Sequence, residues 1–112
     1  MLIVNAKKDE AINFSLAKKI MILSSINGRG YDVCAVMGDN ASLNFYAGIE
    51  RDYDTVQKIF LWLVENKSSR KNVIISEEFI SETLEEIETE ERKRREEDEW
   101  RKLTKKPKGL RV

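Results

Sequence analysis

The chain has 112 residues, 41% of them apolar and 36% charged against a usual charged share of about 25%, and its 20 basic and 20 acidic side chains cancel. That balance argues for neither a nucleic-acid nor a membrane partner. It has no histidine and one cysteine, Cys34, which excludes histidine acid–base catalysis, His/Cys zinc sites and an intrachain disulfide framework.

The opening Met1-Leu2-Ile3-Val4-Asn5-Ala6-Lys7-Lys8 puts apolar residues before positive ones, the reverse of a secretory signal. The longest purely apolar run, 59–64, has six residues, where about 20 are needed to span a bilayer. A cytoplasmic location with no membrane partner is expected. Cys34, inside Val33-Cys34-Ala35-Val36, reads as a small buried hydrophobe.

In chain order, Leu2-Ile3-Val4 is a short β-rich run closed by the polar residues 5–10. Ile12, Phe14 and Leu16 then alternate with Asn13 and Ser15, the period of a half-buried strand. Ile20-Met21-Ile22-Leu23 loses the alternation, which predicts a central strand covered on both faces. Asn27-Gly28-Arg29-Gly30 is hairpin-turn chemistry. Tyr31, Val33, Ala35 and Met37 mark the next strand, Gly38-Asp39-Asn40 the next turn, and Leu43, Phe45 and Ala47 continue the alternation. Together these predict one antiparallel meander.

At Tyr53 the period becomes helical. Asp52 or Asp54 can cap the start, and Val56, Ile59, Phe60 and Leu63 fall on one face, widened by Leu61, Trp62 and Val64. A helix over 53–66 is expected. Its apolar face is broader than one small sheet requires, so either a second element of the chain or a partner covers the rest. A short strand at 72–75 follows. Ser76 with Glu77 and Glu78 then opens a second helix, whose apolar stripe is Phe79, Ile80, Leu84 and Ile87.

Charge is unevenly laid out. Residues 1–76 carry 10 basic and 8 acidic side chains, 77–99 carry 4 and 12, and 100–112 carry 6 and none, for net charges of +2, −8 and +6. From Glu88 to Glu99 the chain has no apolar side chain. Acid-first pairs at i,i+4, such as Glu88/Arg92, Glu90/Arg94 and Glu91/Arg95, each add about 0.2–0.5 kcal/mol to a solvent-exposed helix. Without apolar a/d positions the stretch does not read as a coiled coil. The expected organisation is therefore a small α+β domain at 1–76, a helix at 77–103 docked to about residue 87 and then free as a charged arm, and a basic tail at 104–112. The fold class is α+β: a small antiparallel sheet packed by one helix, then a long charged C-terminal helix.

The runs Leu2-Ile3-Val4-Asn5, Ile12-Asn13-Phe14 and Lys19-Ile20-Met21-Ile22, and the passage from Gly48 through Tyr53 into helix 56–65, resemble small uncharacterised proteins of phages and mobile elements in Gram-positive bacteria. The likeness covers about residues 1–66 and departs at Phe60-Leu61-Trp62-Leu63-Val64, where that group usually has an acidic, alanine-rich helix. It implies a bacterial host cell and a role as inhibitor or adaptor on host machinery, anti-defence (anti-CRISPR-like) proteins included. It brings no catalytic residues.

No nucleophile constellation, phosphate loop or EF-hand spacing is present in the sequence, and no catalysis, metal or cofactor is expected. The binding candidates are Trp62, on the broad helix face, and Trp100 with Leu103, an apolar pair three residues apart after the long polar stretch. Lys102, Lys105 and Lys106 surround that pair and suit phosphates or an acidic protein surface. Glu90, Glu91, Glu96, Glu97, Asp98 and Glu99 form an acidic arm that could imitate nucleic-acid charge, although Arg92-Lys93-Arg94-Arg95 dilutes the imitation. The expected role is to engage, and inhibit, a host protein or complex such as a defence nuclease, as a monomer or homodimer. The alternative is a nucleic-acid-binding accessory using the basic tail.

Overall fold

The computed structural model describes the backbone of residues 1–109 and the side chains of residues 1–103. Its strands are β1 (Leu2–Val4), β2 (Ala11–Asn13), β3 (Lys19–Ser24), β4 (Tyr31–Val36), β5 (Phe45–Tyr46) and β6 (Asn72–Ile74). Its helices are α1 (Tyr53–Glu65) and α2 (Glu77–Gly109). The architecture is α+β, with a long charged C-terminal helix.

The sheet is divided. Instead of one meander there are two three-stranded sheets, β2-β1-β6 and β3-β4-β5. In the first, β6 runs parallel to β1, placing Val73 beside Ile3, while β2 is antiparallel and sets Ile12 beside Ile3. The meander breaks after Asn13. There the carbonyl-bearing side chain of Asn13 accepts from the Ser15 amide, and Phe14–Leu16 winds into a 3-10 turn. The alternation of Ile12, Phe14 and Leu16 therefore marks a strand only as far as Asn13, and beyond it Phe14 is buried and Leu16 exposed on the 3-10 turn. Asn40 caps a similar turn at Ala41–Leu43, which carries Leu43 to the surface while Phe45 and Ala47 remain buried.

The central strand of the second sheet is β4, with β3 at its edge. Residues 32–35 are buried in succession, whereas 20–23 are only partly buried. A run of apolar residues gives hydrophobicity but not neighbours, and β3 finds only one, β4. Gly30 turns the intervening hairpin: it has φ +83°, and a Cβ on it would lie 2.5 Å from the Arg51 carbonyl oxygen. Glycine alone permits that approach, which lets Tyr31 and Arg51 exchange backbone hydrogen bonds.

Asp52 is the cap of α1, accepting from the Thr55 amide and hydroxyl. Val56, Ile59 and Leu63 from α1 meet Ile3, Phe14, Val33, Ala35, Phe45, Ile49 and Ile75 in a single core. α2 covers much of the remaining α1 face. Ser76 accepts from the Phe79 amide at the start of α2, Ile80 and Thr83 are buried, and Phe79 and Leu84 pack against the core. Arg51 ties this junction down by an ion pair to Glu77.

From Glu88 to Leu103 every side chain is exposed. At 33 residues α2 is about 50 Å long by its helical rise, and it stretches the molecule to 67 × 26 × 21 Å. Glu88/Arg92, Glu90/Arg94 and Glu91/Arg95 do not close to within 4 Å. Fully solvated partners gain little by fixing two long side chains in one geometry, so good helix formers, more than fixed ion pairs, sustain the arm.

Candidate functional site

Trp100 and Leu103 stand 66% and 57% exposed on α2. Trp100 lies thirteen positions beyond Ile87, the last partly buried position among the described α2 side chains, a reach of about 20 Å along the helix. No part of the folded body buries them, since the whole described stretch from Glu88 is exposed. At 100° per residue they lie together on one side of α2, away from the side that carries Ile80, Thr83 and Ile87. Lys102 is exposed beside them. The side chains of 104–112, Lys105 and Lys106 among them, lie outside the described residues, but the backbone of α2 runs on to Gly109, so the helix does not end at 103 and the first part of the expected tail continues it. Glu90, Glu91, Glu96, Glu97, Asp98 and Glu99 are all exposed along the same arm and ring the helix without forming one acidic face.

Trp62 is placed differently. Its ring packs edge-to-face on Phe79 of α2, with centroids 5.6 Å apart, and the Lys71 ammonium sits 5.1 Å above it. Its indole N–H donates to Glu86 Oε2 at 3.3 Å. These contacts make Trp62 an anchor between the helices, worth about 0.5–1.5 kcal/mol beyond the area it covers. Beside it opens a shallow groove between α1 and α2, lined by apolar Leu61, Trp62 and Ile87 and by charged residues that include Glu90, Glu91 and Arg94. Leu61 and Val64 of α1 remain exposed next to it.

A second cleft lies where three connections meet: the β1–β2 loop, the β3–β4 turn and the segment after β5. Asp32 stands at its base, 4% exposed. One of its oxygens accepts from the amides of Val33 (2.8 Å), Gly48 (2.9 Å) and Ile49 (2.9 Å), and the other accepts again from Gly48. Burial pushes the Asp32 carboxyl above its usual range against the pull of these amides, and the nearby Glu50 charge adds to the rise. Glu50 occupies the left-handed region at φ +52° and accepts from Asn27 Nδ2 (2.7 Å) and Ser25 Oγ (3.3 Å). Asn5 organises the facing loop by accepting from the amides of Asp9 and Glu10.

Sequence reasoning did not single out Asp32, Glu50 or Arg51. The available signal was a charged residue inside an apolar strand, Tyr31-Asp32-Val33, where an alternating pattern places Asp32 outside. Among the described residues no group of three or more His, Cys, Asp or Glu side chains is arranged to hold a metal ion. No helix there is long and apolar enough to cross a membrane. Compared with known proteins, the chain matches no family model, no curated protein and no solved structure.

Proposed function

We propose that this chain acts by binding a protein partner, with the outer part of α2 as the contact element and Trp100 and Leu103 as its apolar anchor. The observation that carries this reading is the pair's exposure about 20 Å beyond the last docked turn of the helix. An exposed tryptophan on a rigid element is the residue type enriched at binding hot spots, and Leu103 on the same side extends its apolar surface. The finer reading is that the partner belongs to a bacterial host and is inhibited, a defence nuclease being the type case. Its support is the likeness of residues 1–66 to phage proteins, together with a sequence that holds no histidine and no nucleophile constellation.

The test is an affinity capture from a Gram-positive bacterial lysate, with and without nuclease, using the full chain and its Trp100→Ala and Leu103→Ala variants. A discrete protein retained after nuclease, and lost with either variant, is the expected result. Capture unaffected by both variants would remove the anchor. Capture lost only with nuclease would favour a nucleic-acid accessory, for which the 6 basic and no acidic residues at 100–112 are the relevant feature. In that case affinity would fall steeply with salt.

A further inference from the structure

The hairpin turn between β3 and β4 contains Asn27 followed by Gly28, and both groups that react in asparagine deamidation are engaged there. In that chemistry the Gly28 amide nitrogen gives its proton to solvent base and attacks Cγ of Asn27. The new N–C bond forms as the C–Nδ2 bond breaks, and ammonia leaves. Water then opens the five-membered imide at either carbonyl, yielding aspartate or isoaspartate. The overall change is hydrolysis of an amide, with no redox partner.

Steric access at this turn is unrestricted. Asn27 is exposed, and a Cβ built on Gly28 would meet nothing within 4 Å. The brake is hydrogen bonding. The Gly28 N–H, the nucleophile, is donated to the Ser25 carbonyl at 2.9 Å. The Asn27 side-chain amide, the leaving group, is held by Glu50 Oε1 at 2.7 Å. The Asn27 backbone N–H is donated to Ser25 Oγ at 3.3 Å, which fixes the turn on the other side. Attack takes the Gly28 nitrogen from the Ser25 carbonyl and expels the Nδ2 that Glu50 holds, so both hydrogen bonds must be given up.

We infer that Asn27 is a deamidation site guarded by Glu50, and that modification loosens the β3–β4 turn from the segment leading into α1, leaving the Tyr31–Arg51 backbone pair to join them. The product carries a carboxylate in place of the donor, facing Glu50 with the buried Asp32 nearby. An attractive contact becomes a like-charge one. The other asparagines precede Ala, Phe, Lys or Val, whose side chains obstruct the attacking nitrogen, so the reaction is selective for Asn27.

The experiment incubates the full chain at mildly alkaline pH, folded and in denaturant. It follows amide-to-acid conversion in the tryptic peptide 20–29 by mass spectrometry, with isoaspartate resolved by chromatography. Conversion in the denatured chain should concentrate at Asn27, and folding should slow it severalfold. Glu50→Ala should restore much of the lost rate, whereas Glu50→Gln, whose amide oxygen still accepts from Asn27, should not. Equal rates in folded and denatured wild type would overturn the inference, as would a folded Glu50→Ala variant no faster than wild type. If Glu50→Ala does not fold, the product analogue Asn27→Asp decides. It should be less stable than wild type at neutral pH, with most of that loss recovered in a Glu50→Gln background. An Asn27→Asp chain as stable as wild type would refute the guarding contact.

Discussion

Replacing Asp32 should be among the most damaging single changes to this fold. Its carboxylate receives amides from Val33 and Ile49, both buried, and from Gly48, which is half-buried. Asp32→Ala leaves these donors without a partner. An orphaned buried donor costs about 1–3 kcal/mol, so two full penalties and about half of a third come to about 2.5–7.5 kcal/mol. That is a large part of the ~5–15 kcal/mol by which domains are stable. Asp32→Asn keeps the oxygen that serves all three amides and puts an NH₂ where the second oxygen faces Gly48. Its loss should be about 1–2 kcal/mol, because charge assistance goes while burial of a charge is relieved.

Urea unfolding followed by far-UV circular dichroism measures both variants, with equal m-values licensing the comparison. An Asp32→Ala chain within about 0.5 kcal/mol of wild type would show that water re-pairs the donors and that the site is not sealed. The pH dependence gives a second check. The folded-state pKa of Asp32 lies above its ordinary 3.8, so the folded chain takes up this proton first. As pH falls through the window between the raised value and 3.8, this group adds stability, and below 3.8 its contribution stays constant. Wild type should therefore gain on Asp32→Asn across that window.

Glu77 gives the opposite sign. Its hydrogen bond to Arg51 and the attraction of that guanidinium hold its carboxyl below the ordinary 4.5. The stability it contributes is present above 4.5 and is lost as pH falls through the lowered value. Glu77→Gln should lower stability slightly at neutral pH and flatten that part of the acid limb in an unfolding series, the two chains converging in acid. Phe79→Ala should cost about 2–4 kcal/mol, somewhat under the value for a fully buried ring. It should also shift the Trp62 emission to the red in a Trp100→Phe background, and an unshifted spectrum would contradict the Trp62–Phe79 contact. Ending the chain after Thr89 should leave urea stability within about 0.5 kcal/mol, since every described side chain beyond Ile87 is exposed. Ending it after Ser76 uncovers the α1 face and should cause aggregation or unfolding. A soluble, equally stable 1–76 fragment would refute the claim that Phe79, Ile80 and Leu84 complete the core.

Local information in the sequence was enough for both helices, the Ser76 cap and the hairpin turn at 27–30, while it left the cap of α1 between Asp52 and Asp54. Each depends on residues within a few positions of one another, so periodicity and capping chemistry determine it directly. The change from an apolar stripe to a wholly charged helix after Ile87 is likewise a local property, and with it the isolation of Trp100 and Leu103. Long-range pairing was not written in this way. Ile20-Met21-Ile22-Leu23 has the composition of a central strand and lies at an edge. β6, three residues long, joins β1 in parallel from 70 positions away. Such pairings depend on which apolar surfaces fit together once the chain has closed on itself. Only tertiary structure, too, could assign Trp62 to the contact between helices and leave Trp100 in solvent, because a tryptophan on a helix face looks the same in sequence whether or not a Phe79 lies opposite. The same holds for Asp32. Its surroundings are three amides, two of them supplied by residues 16 and 17 positions away, and that enclosure exists only after the segment following β5 folds across β4.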